Sequence, residues 1–314
     1  MRGEGSAPGK VILCGEHSVV YGRPAIAVPV SDLRAHALLE GRPAGSGLRI
    51  VAADLGETLA LGEAPAGHPL AAIARSTLAH LAVPEPDARL TLRSDLPIAA
   101  GLGSGAAVSV AVVRALAAYH DRELSPEEVS ALVYEVEKLH HGTPSGIDNT
   151  VVAFERPVYF VRGREPETFA IGSPFHLLIA NSGIPGSTRD AVLGVRHRWL
   201  KEPVRYQALF DEMGAIAEEA RGAIEVGDLE RLGRLLDDNQ LFLQEIGVSL
   251  PELDELVERA RQAGALGAKL TGGGAGGNVI ALVPAPALEA VERALAERAT
   301  QVWATVIRQS HLSQ

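Results

Sequence analysis

Pro97-Ile98-Ala99-Ala100-Gly101-Leu102-Gly103-Ser104-Gly105-Ala106-Ala107 is the stretch on which the reading of the fold turns. It opens directly into an Ala/Val run reaching about Tyr119 that contains neither proline nor glycine. A run of that length without a breaker predicts a buried helix rather than a strand. A glycine loop ahead of a helix lets backbone N–H groups wrap an anion, because the helix start adds orphan donors and positive partial charge. Glycine also allows close approach with no Cβ in the way. The same residues suit a tight turn packed on a sheet, and a lone glycine loop does not separate these readings.

Outward from that loop, the N-terminal side reads as strands joined by turns. Apolar runs or alternation predict strands at 11–14, 25–30, 35–39, 48–51 and 88–92, with a helical pattern at 68–81. On the C-terminal side, Ser125-Pro126-Glu127-Glu128 is a helix start: N-cap, proline at the first position, then acids in the first turn. That helix is expected to run to about Leu139 and to break in a Gly/Pro/Ser loop at 141–149. The second half changes texture. A buried strand is expected at 176–180, three helical patterns between about 190 and 243, and a helix at 252–263. A strand-loop-strand unit at 268–283, a helix from about Ala287 and a strand at 302–307 follow. Glu, Arg, Gly and Pro cluster at 155–175, which sets the expected division at 1–165 and 166–314.

Composition narrows the function classes. The chain has 314 residues, 46% hydrophobic and 22% charged, which is ordinary for a globular protein with a sizeable core. Aromatics make up 4%, so the core rests on Leu, Val, Ile and Ala. A formal net charge of -10 argues against nucleic acid or an anionic membrane as the main partner. The single cysteine, Cys14, rules out an internal disulfide framework and a Cys-rich zinc site, and suits a reducing cytoplasm. No apolar leader follows the N-terminal methionine and no run of about 18 apolar residues occurs, so neither secretion nor a membrane span is expected.

Other stretches carry possible chemistry. Gly272-Gly273-Gly274-Ala275-Gly276-Gly277 follows Lys269-Leu270-Thr271, and backbone crowding around a ligand explains it better than a flexible hairpin. His140-His141-Gly142-Thr143-Pro144-Ser145-Gly146-Ile147-Asp148-Asn149 places Asp148 after a glycine-bounded turn, either projecting into a cleft or closing an Asx turn. Adjacent histidines rarely converge on one ion, so zinc is disfavoured there. Glu137 ends the helix that leads into this loop. Ala7-Pro8-Gly9-Lys10 is not a Walker loop, because Glu4 and Val11 stand where glycine and Ser/Thr are required. Gly101-Leu102-Gly103 reaches Ala106 where a dinucleotide fingerprint often has glycine. Gly103-Ser104-Gly105 is only the inner part of a nucleophile elbow.

In this order the motifs resemble the GHMP family of small-molecule kinases. Residues 7–10, 97–107 and 268–277 look like its three shared motifs and bracket most of the chain. Gly15-Glu16-His17-Ser18-Val19-Val20-Tyr21-Gly22, the segment His141 to Asn149, and Gly183-Ile184-Pro185-Gly186-Ser187-Thr188-Arg189 resemble the members that act on mevalonate. The N-terminal patterns of the homoserine and diphosphomevalonate branches are absent.

The resemblance implies a two-lobed α/β (α+β) fold, with a ribosomal-S5-like N-terminal lobe, a ferredoxin-like C-terminal lobe and the active site between them. It implies transfer of the ATP γ-phosphate to the C5 hydroxyl of mevalonate, with Mg2+. Asp148 would be the catalytic carboxylate and Lys10 its cationic neighbour. Pro97, Gly101, Leu102, Gly103, Ser104, Gly105 and Ala106 would cradle the triphosphate, with Gly272, Gly273 and Gly274 closing on it. Glu16, His17, Thr188 and Arg189 would face mevalonate. Glu137 would bind magnesium, with Ser104 as second candidate because Gly105 stands where the family often has serine. A kinase for phosphomevalonate or another small alcohol, and a non-catalytic nucleotide-binding regulator, remain alternatives. A homodimer is compatible with this reading.

Overall fold

The chain enters as strand, β1 (Arg2–Cys14) followed by β2 (Ala25–Gly41). Both outrun the apolar runs that predict them. β2 absorbs two expected strands by continuing as strand through Ser31-Asp32-Leu33-Arg34. The structure, a computed structural model, describes residues 1–97, 101–141 and 145–309. It divides into two compact units, one of Met1–Gly9, Leu33–Ile98 and Gly103–Glu155, the other of Lys10–Asp32, Ala99–Leu102 and Arg156–Gln314. The division is discontinuous, unlike the single boundary near residue 165 that the sequence suggests, because β1 and β2 each supply residues to both units.

In the first unit, β3 (Leu48–Ala52), β4 (Glu57–Ala60) and β5 (Ala88–Ser94) join the second half of β2 in the order β4-β3-β5-β2. β3 and β5 are parallel, and the other pairs are antiparallel. Four helices accompany this sheet: α1 (Pro69–His80), α2 (Ser104–Tyr119), α3 (Pro126–His141) and α4 (Ile147–Phe154). The start of α3 is a reciprocal capping box. Ser125 Oγ accepts from Glu128 N–H at 3.2 Å, and Ser125 N–H donates to Glu128 Oε2 at 2.8 Å. β1 lies on α2 so closely that a Cβ at Gly3 would stand 2.3 Å from Ala115 O, and one at Gly5 2.2 Å from Ala111 O.

The helix α4 begins inside the segment read as loop. Gly146 (φ 93°) turns the chain into it and Glu155 (φ 51°) turns the chain out. A non-glycine residue in the left-handed region is strained. Here Arg34 Nη1 pairs with Glu155 at 3.0 Å, and Arg114 holds the same carboxylate.

The second unit holds β6 (Val158–Phe160), paired with the 25–27 stretch of β2 and with β7 (Glu167–Thr168). Beyond it come β8 (Phe175–Asn181), α5 (Thr188–Lys201), α6 (Pro203–Val226), α7 (Leu229–Glu245) and α8 (Pro251–Gln262). β9 (Gly267–Thr271), β10 (Asn278–Val283), α9 (Leu288–Ala296) and β11 (Gln301–Ile307) complete the unit. Its antiparallel sheet runs β11-β8-β10-β9, the order of a ferredoxin-like βαββαβ unit with extra helices after its first strand. Every residue of β10 is buried, which explains the apolar run that follows Asn278. Leu178, Phe210, Leu243, Leu256, Leu270 and Leu295 belong to one core between helices and sheet.

Glycine decides how near α7 comes to β9. A Cβ on Gly267 would fall 2.0 Å from Gly233 O, whereas one on Gly222, within α6, would meet nothing within 4 Å. Gly267→Ala therefore forces two backbones apart and is expected to cost about 3 kcal/mol or more. Gly222→Ala removes a helix penalty and is expected to gain about 0.5–1 kcal/mol. Urea unfolding of the two variants should move the midpoint in opposite directions; movement in the same direction would refute the close-approach account.

Candidate active site

The glycine loop enters α2 through residues that only glycine accommodates easily. Gly101 (φ 74°) and Gly103 (φ 72°) both take the left-handed conformation, and Gly103 is the N-cap of α2. Leu102 between them is buried, and its carbonyl accepts from Lys10 N–H at 2.9 Å. Pro97 and Ser104 are half-buried, Gly105 is exposed and Ala106 is buried. The first helical bond runs from Ala107 N–H to Gly103 O at 2.9 Å, so the amides of 104–106 lie ahead of the ladder. Such free amides at a helix start suit an anion. Residues 98–100 lie outside the described residues.

Within the first unit, Glu137 reaches this helix start from α3. A Cβ built on Gly105 would lie 3.7 Å from Glu137 Oε1. A carboxylate thus stands beside amides suited to phosphate, with no side chain at 105 to fill the space between. Such a donor set fits a hard cation that also takes phosphate oxygens. Asp148 occupies the first turn of α4, half-buried. Residues 142–144 of the same segment lie outside the described residues, as do the side chains of the paired histidines.

The second unit carries the other expected residues. Lys10, on β1, is 4% exposed. Glu16 and Lys269 form an ion pair with both side chains at 0% exposure. Lys269 Nζ also donates to Leu270 O at 2.7 Å, while Glu16 Oε2 has no hydrogen-bond partner among the described residues. Burial raises the Glu16 carboxyl above its ordinary range against the pull of Lys269. Burial likewise pushes the neighbouring Cys14 thiol up to about 12, which leaves it inert. Glu16, expected to face a substrate, is instead turned onto a lysine inside the protein.

His17 follows with φ 61° and is buried. Its Nε2 lies 2.9 Å from Gly273 O. A carbonyl only accepts, so Nε2 carries the hydrogen and Nδ1 is left as an acceptor. Burial lowers the imidazole to about 4, so it is neutral at neutral pH. Thr188 backs onto the same glycine: a Cβ on Gly273 would lie 2.8 Å from Thr188 Cα and 2.9 Å from its Oγ1. Glu16, His17, Gly273 and Thr188 are therefore joined through adjacent residues and contacts, and Arg189 follows, exposed, in the first turn of α5.

The crowding that the glycine stretch implies comes in part from the protein itself. A Cβ would meet Val248 O at 2.3 Å from Gly274 and Ile184 O at 2.6 Å from Gly276, while Gly272 is open. Ala275 N–H donates to Val248 O at 2.7 Å and Gly277 N–H to Ile184 O at 2.9 Å. The motif tyrosine, Tyr21, stacks on Phe210 at 4.2 Å and so anchors the 15–22 segment to α6.

Two site residues escape the sequence reading. Lys269 sits in Ala268-Lys269-Leu270-Thr271, and a lysine inside a buried strand pattern is itself the signal. Arg198 donates from Nε to Ile246 O at 3.0 Å and from Nη2 to Gly247 O at 3.1 Å, and its charge acts on His17. Nothing local in α5 distinguishes it from the surrounding basic residues.

Comparison with known proteins fits this geometry. Residues 69–156 match the N-terminal domain of the GHMP kinases, and residues 220–301 their C-terminal domain. The mevalonate kinase of Pyrococcus abyssi (strain GE5 / Orsay) is 38% identical over 298 residues, covering 89% of this chain and 88% of that protein. That of Aeropyrum pernix is 36% identical over 316 residues, covering 96% and 95%. The crystal structure of L. major mevalonate kinase in complex with R-mevalonate superposes with a TM-score of 0.86 at 30% identity, covering 99% of this chain and 97% of that one. With both domains matched and relatives this similar along nearly their whole length, the chain belongs to the GHMP kinases and, within them, to the mevalonate kinase family.

Proposed function

We propose that this chain transfers the γ-phosphoryl group of ATP to the C5 hydroxyl of mevalonate, giving 5-phosphomevalonate. The observation that carries the reading is the near-full-length likeness to a kinase solved with R-mevalonate. Local geometry adds to it, with a carboxylate beside an anion cradle in one unit and a buried His17–Gly273–Thr188 group in the other.

Phosphoryl transfer asks for positioning and charge neutralisation more than covalent help. The amides of 104–106 would hold phosphate oxygens. Glu137 would hold Mg2+, with the Ser104 hydroxyl as second candidate, and the ion would offset triphosphate charge. Among the described residues no three His, Cys, Asp or Glu side chains gather around one point. Few protein ligands suit an ion that keeps waters and phosphate oxygens. Asp148 would orient the C5 hydroxyl and take its proton as the oxygen attacks phosphorus and the ADP oxygen leaves. The Lys10 ammonium would stabilise the charge on that oxygen. His17, with Nδ1 as acceptor, would face a hydroxyl rather than a carboxylate of mevalonate, and Thr188 and Arg189 would complete that side. A cytoplasmic setting goes with this function, and no described helix is long and apolar enough to cross a membrane.

Three outcomes follow. ADP release is expected with mevalonate and not with phosphomevalonate, homoserine or galactose, and turnover of another alcohol alone would overturn the substrate. Asp148→Asn is expected to lower kcat by about 10³-fold while ATP binding, read by calorimetry, persists. Near-parental turnover would remove Asp148 from the chemistry. Glu137→Gln is expected to raise the Mg2+ concentration for half-maximal rate by about 10-fold or more, and an unchanged magnesium dependence would free Glu137 of that role.

Keeping His17 neutral also links folding to pH. Its folded value of about 4 lies below the unfolded 6.5, so between them the unfolded chain binds the proton and the folded chain does not. Stability from this group is complete above the unfolded value and is lost as pH falls toward the folded one. By linkage, moving from about pH 7 to about pH 5 should cost about 2 kcal/mol through this residue. Urea unfolding of the parent and of His17→Gln at both pH values checks it; equal losses in the two proteins would show that His17 is not the group.

A further inference from the structure

Asp148 stands on a helix too short to place itself. α4 has 8 residues, well under the length at which a helix is stable alone. Its position must come from its neighbours. Ile147 and Val151 face the interior, as do Val129, Val133 and Val136 of α3. Apolar contacts are non-directional and leave two helices free to slide or rotate by small amounts. A catalytic carboxylate tolerates little of either.

The residue after Asp148 departs from the apolar pattern. Asn149 is buried at 4% exposure, and so are Thr150 at 4% and Ser130 of α3 at 8%. Buried polar groups are costly unless paired, and these three are paired. Asn149 Nδ2 donates to Ser130 O at 3.1 Å and to Ser130 Oγ at 2.8 Å. Because Ser130 O only accepts, the amide orientation is determined. Thr150 Oγ1 donates to Gly146 O at 2.7 Å, and lies 3.4 Å from Ser130 Oγ. One pattern of donors satisfies all of these contacts. Asn149 gives to Ser130, the Ser130 hydroxyl gives to Thr150, and the Thr150 hydroxyl gives to the carbonyl of Gly146. That carbonyl belongs to the N-cap of α4, two residues before Asp148.

The other end of the chain of bonds is equally placed. Ser130 precedes Glu137 by seven residues on α3, so both lie on one stripe of that helix, about 10 Å apart along its axis. We propose that the buried Asn149–Ser130–Thr150 network is the positioning element that sets Asp148, on α4, against Glu137, on α3, and that Asn149 is its principal residue. The proposal rests on the proposed kinase reading, in which Asp148 handles the hydroxyl and Glu137 the metal. Directional bonds at one point of an otherwise apolar helix pair fix rotation and register, the role for which buried polar groups are best attested. None of the three need touch a substrate.

The test compares Asn149→Ala with Thr77→Val, which removes a buried hydroxyl bonded to Ile73 O at 2.8 Å in α1, away from Asp148 and Glu137 in the sequence and on another helix. Steady-state kinetics are run well below each variant's melting temperature. Asn149→Ala is expected to lower kcat by about 100-fold, as a misplacement of about 1 Å does, with KM for ATP within about 2-fold and a raised Mg2+ requirement. Thr77→Val is expected to lose stability with kcat unchanged. Should Asn149→Ala fail to fold, Ser130→Ala carries the test, with a smaller fall in kcat and the same split from KM. A kcat within about 3-fold of the parent, or an equal fall in the Thr77 variant, overturns the proposal. An inactive parent, or an active Asp148→Asn, would instead be a failure of the kinase reading.

Discussion

A carboxylate and an ammonium with no access to water bind the second unit to its own beginning. Glu16 and Lys269 are 253 residues apart in sequence and pair inside the protein. Withdrawing two charges from water costs several kcal/mol per ion, and only close pairing with further hydrogen bonds offsets it. Breaking such a pair leaves one buried charge uncompensated, so the contact acts as a constraint even where its net stabilisation is small. Thr271 reinforces it, since its Oγ1 donates to Ile12 O at 2.9 Å and accepts from Ile12 N–H at 3.2 Å. The end of β1, the loop after it and β9 thus form one rigid piece. His17 inherits its place from that piece, and its bond to Gly273 carries the constraint into the third glycine stretch.

Glycine supplies the second constraint, and for more than one reason. At Gly103 the need is conformational, because a left-handed N-cap directs the loop into α2. At Gly274 and Gly276 it is steric, because the carbonyls of Val248 and Ile184 stand where a Cβ would go. At Gly272 an added Cβ would meet nothing within 4 Å, so its left-handed φ of 85° is the constraint there. A glycine-rich motif is therefore composite: some positions are needed for conformation and others for close packing. A mutational survey treating them as one class would mix strain, overpacking and lost binding.

Most of the architecture was readable from periodicity and punctuation. The capping box at Ser125 and the breaker-free run after Ser104 mark α3 and α2 in the sequence and in the structure alike. What resisted reading is instructive. α4 is short, opens on Gly146 and contains Thr150-Val151-Val152, so propensity and glycine both point to a loop or strand. Its helical state is imposed by packing and by bonds to α3, which no local window contains. Likewise Ser31-Asp32-Leu33-Arg34 looks like a break until the partners of β2 are known. At the site, Asp148, Glu137 and Lys10 stand out only through resemblance to a family, since each alone reads as an ordinary loop, helix or strand residue. Lys269 could have been found from physics alone, because a lysine flanked by buried alanine and leucine needs an internal partner.

Gly105 shows how the chain accommodates a departure from its family's loop. A serine there would project its Cβ to 3.7 Å from Glu137 Oε1, within reach of the carboxylate. Glycine keeps the backbone N–H at the start of α2 and lacks the hydroxyl, so on the proposed reading a magnesium ion there would have one protein oxygen fewer. An ion that prefers six oxygens and retains waters readily replaces one hydroxyl by water. The charge on Glu137 would have no such substitute, because an ion offsetting triphosphate charge there would need an anionic oxygen near it. On the proposed kinase reading, metal recognition in this unit would rest on Glu137 of α3, and the bonds that hold α3 against α4 would then matter to the chemistry as well as to the fold.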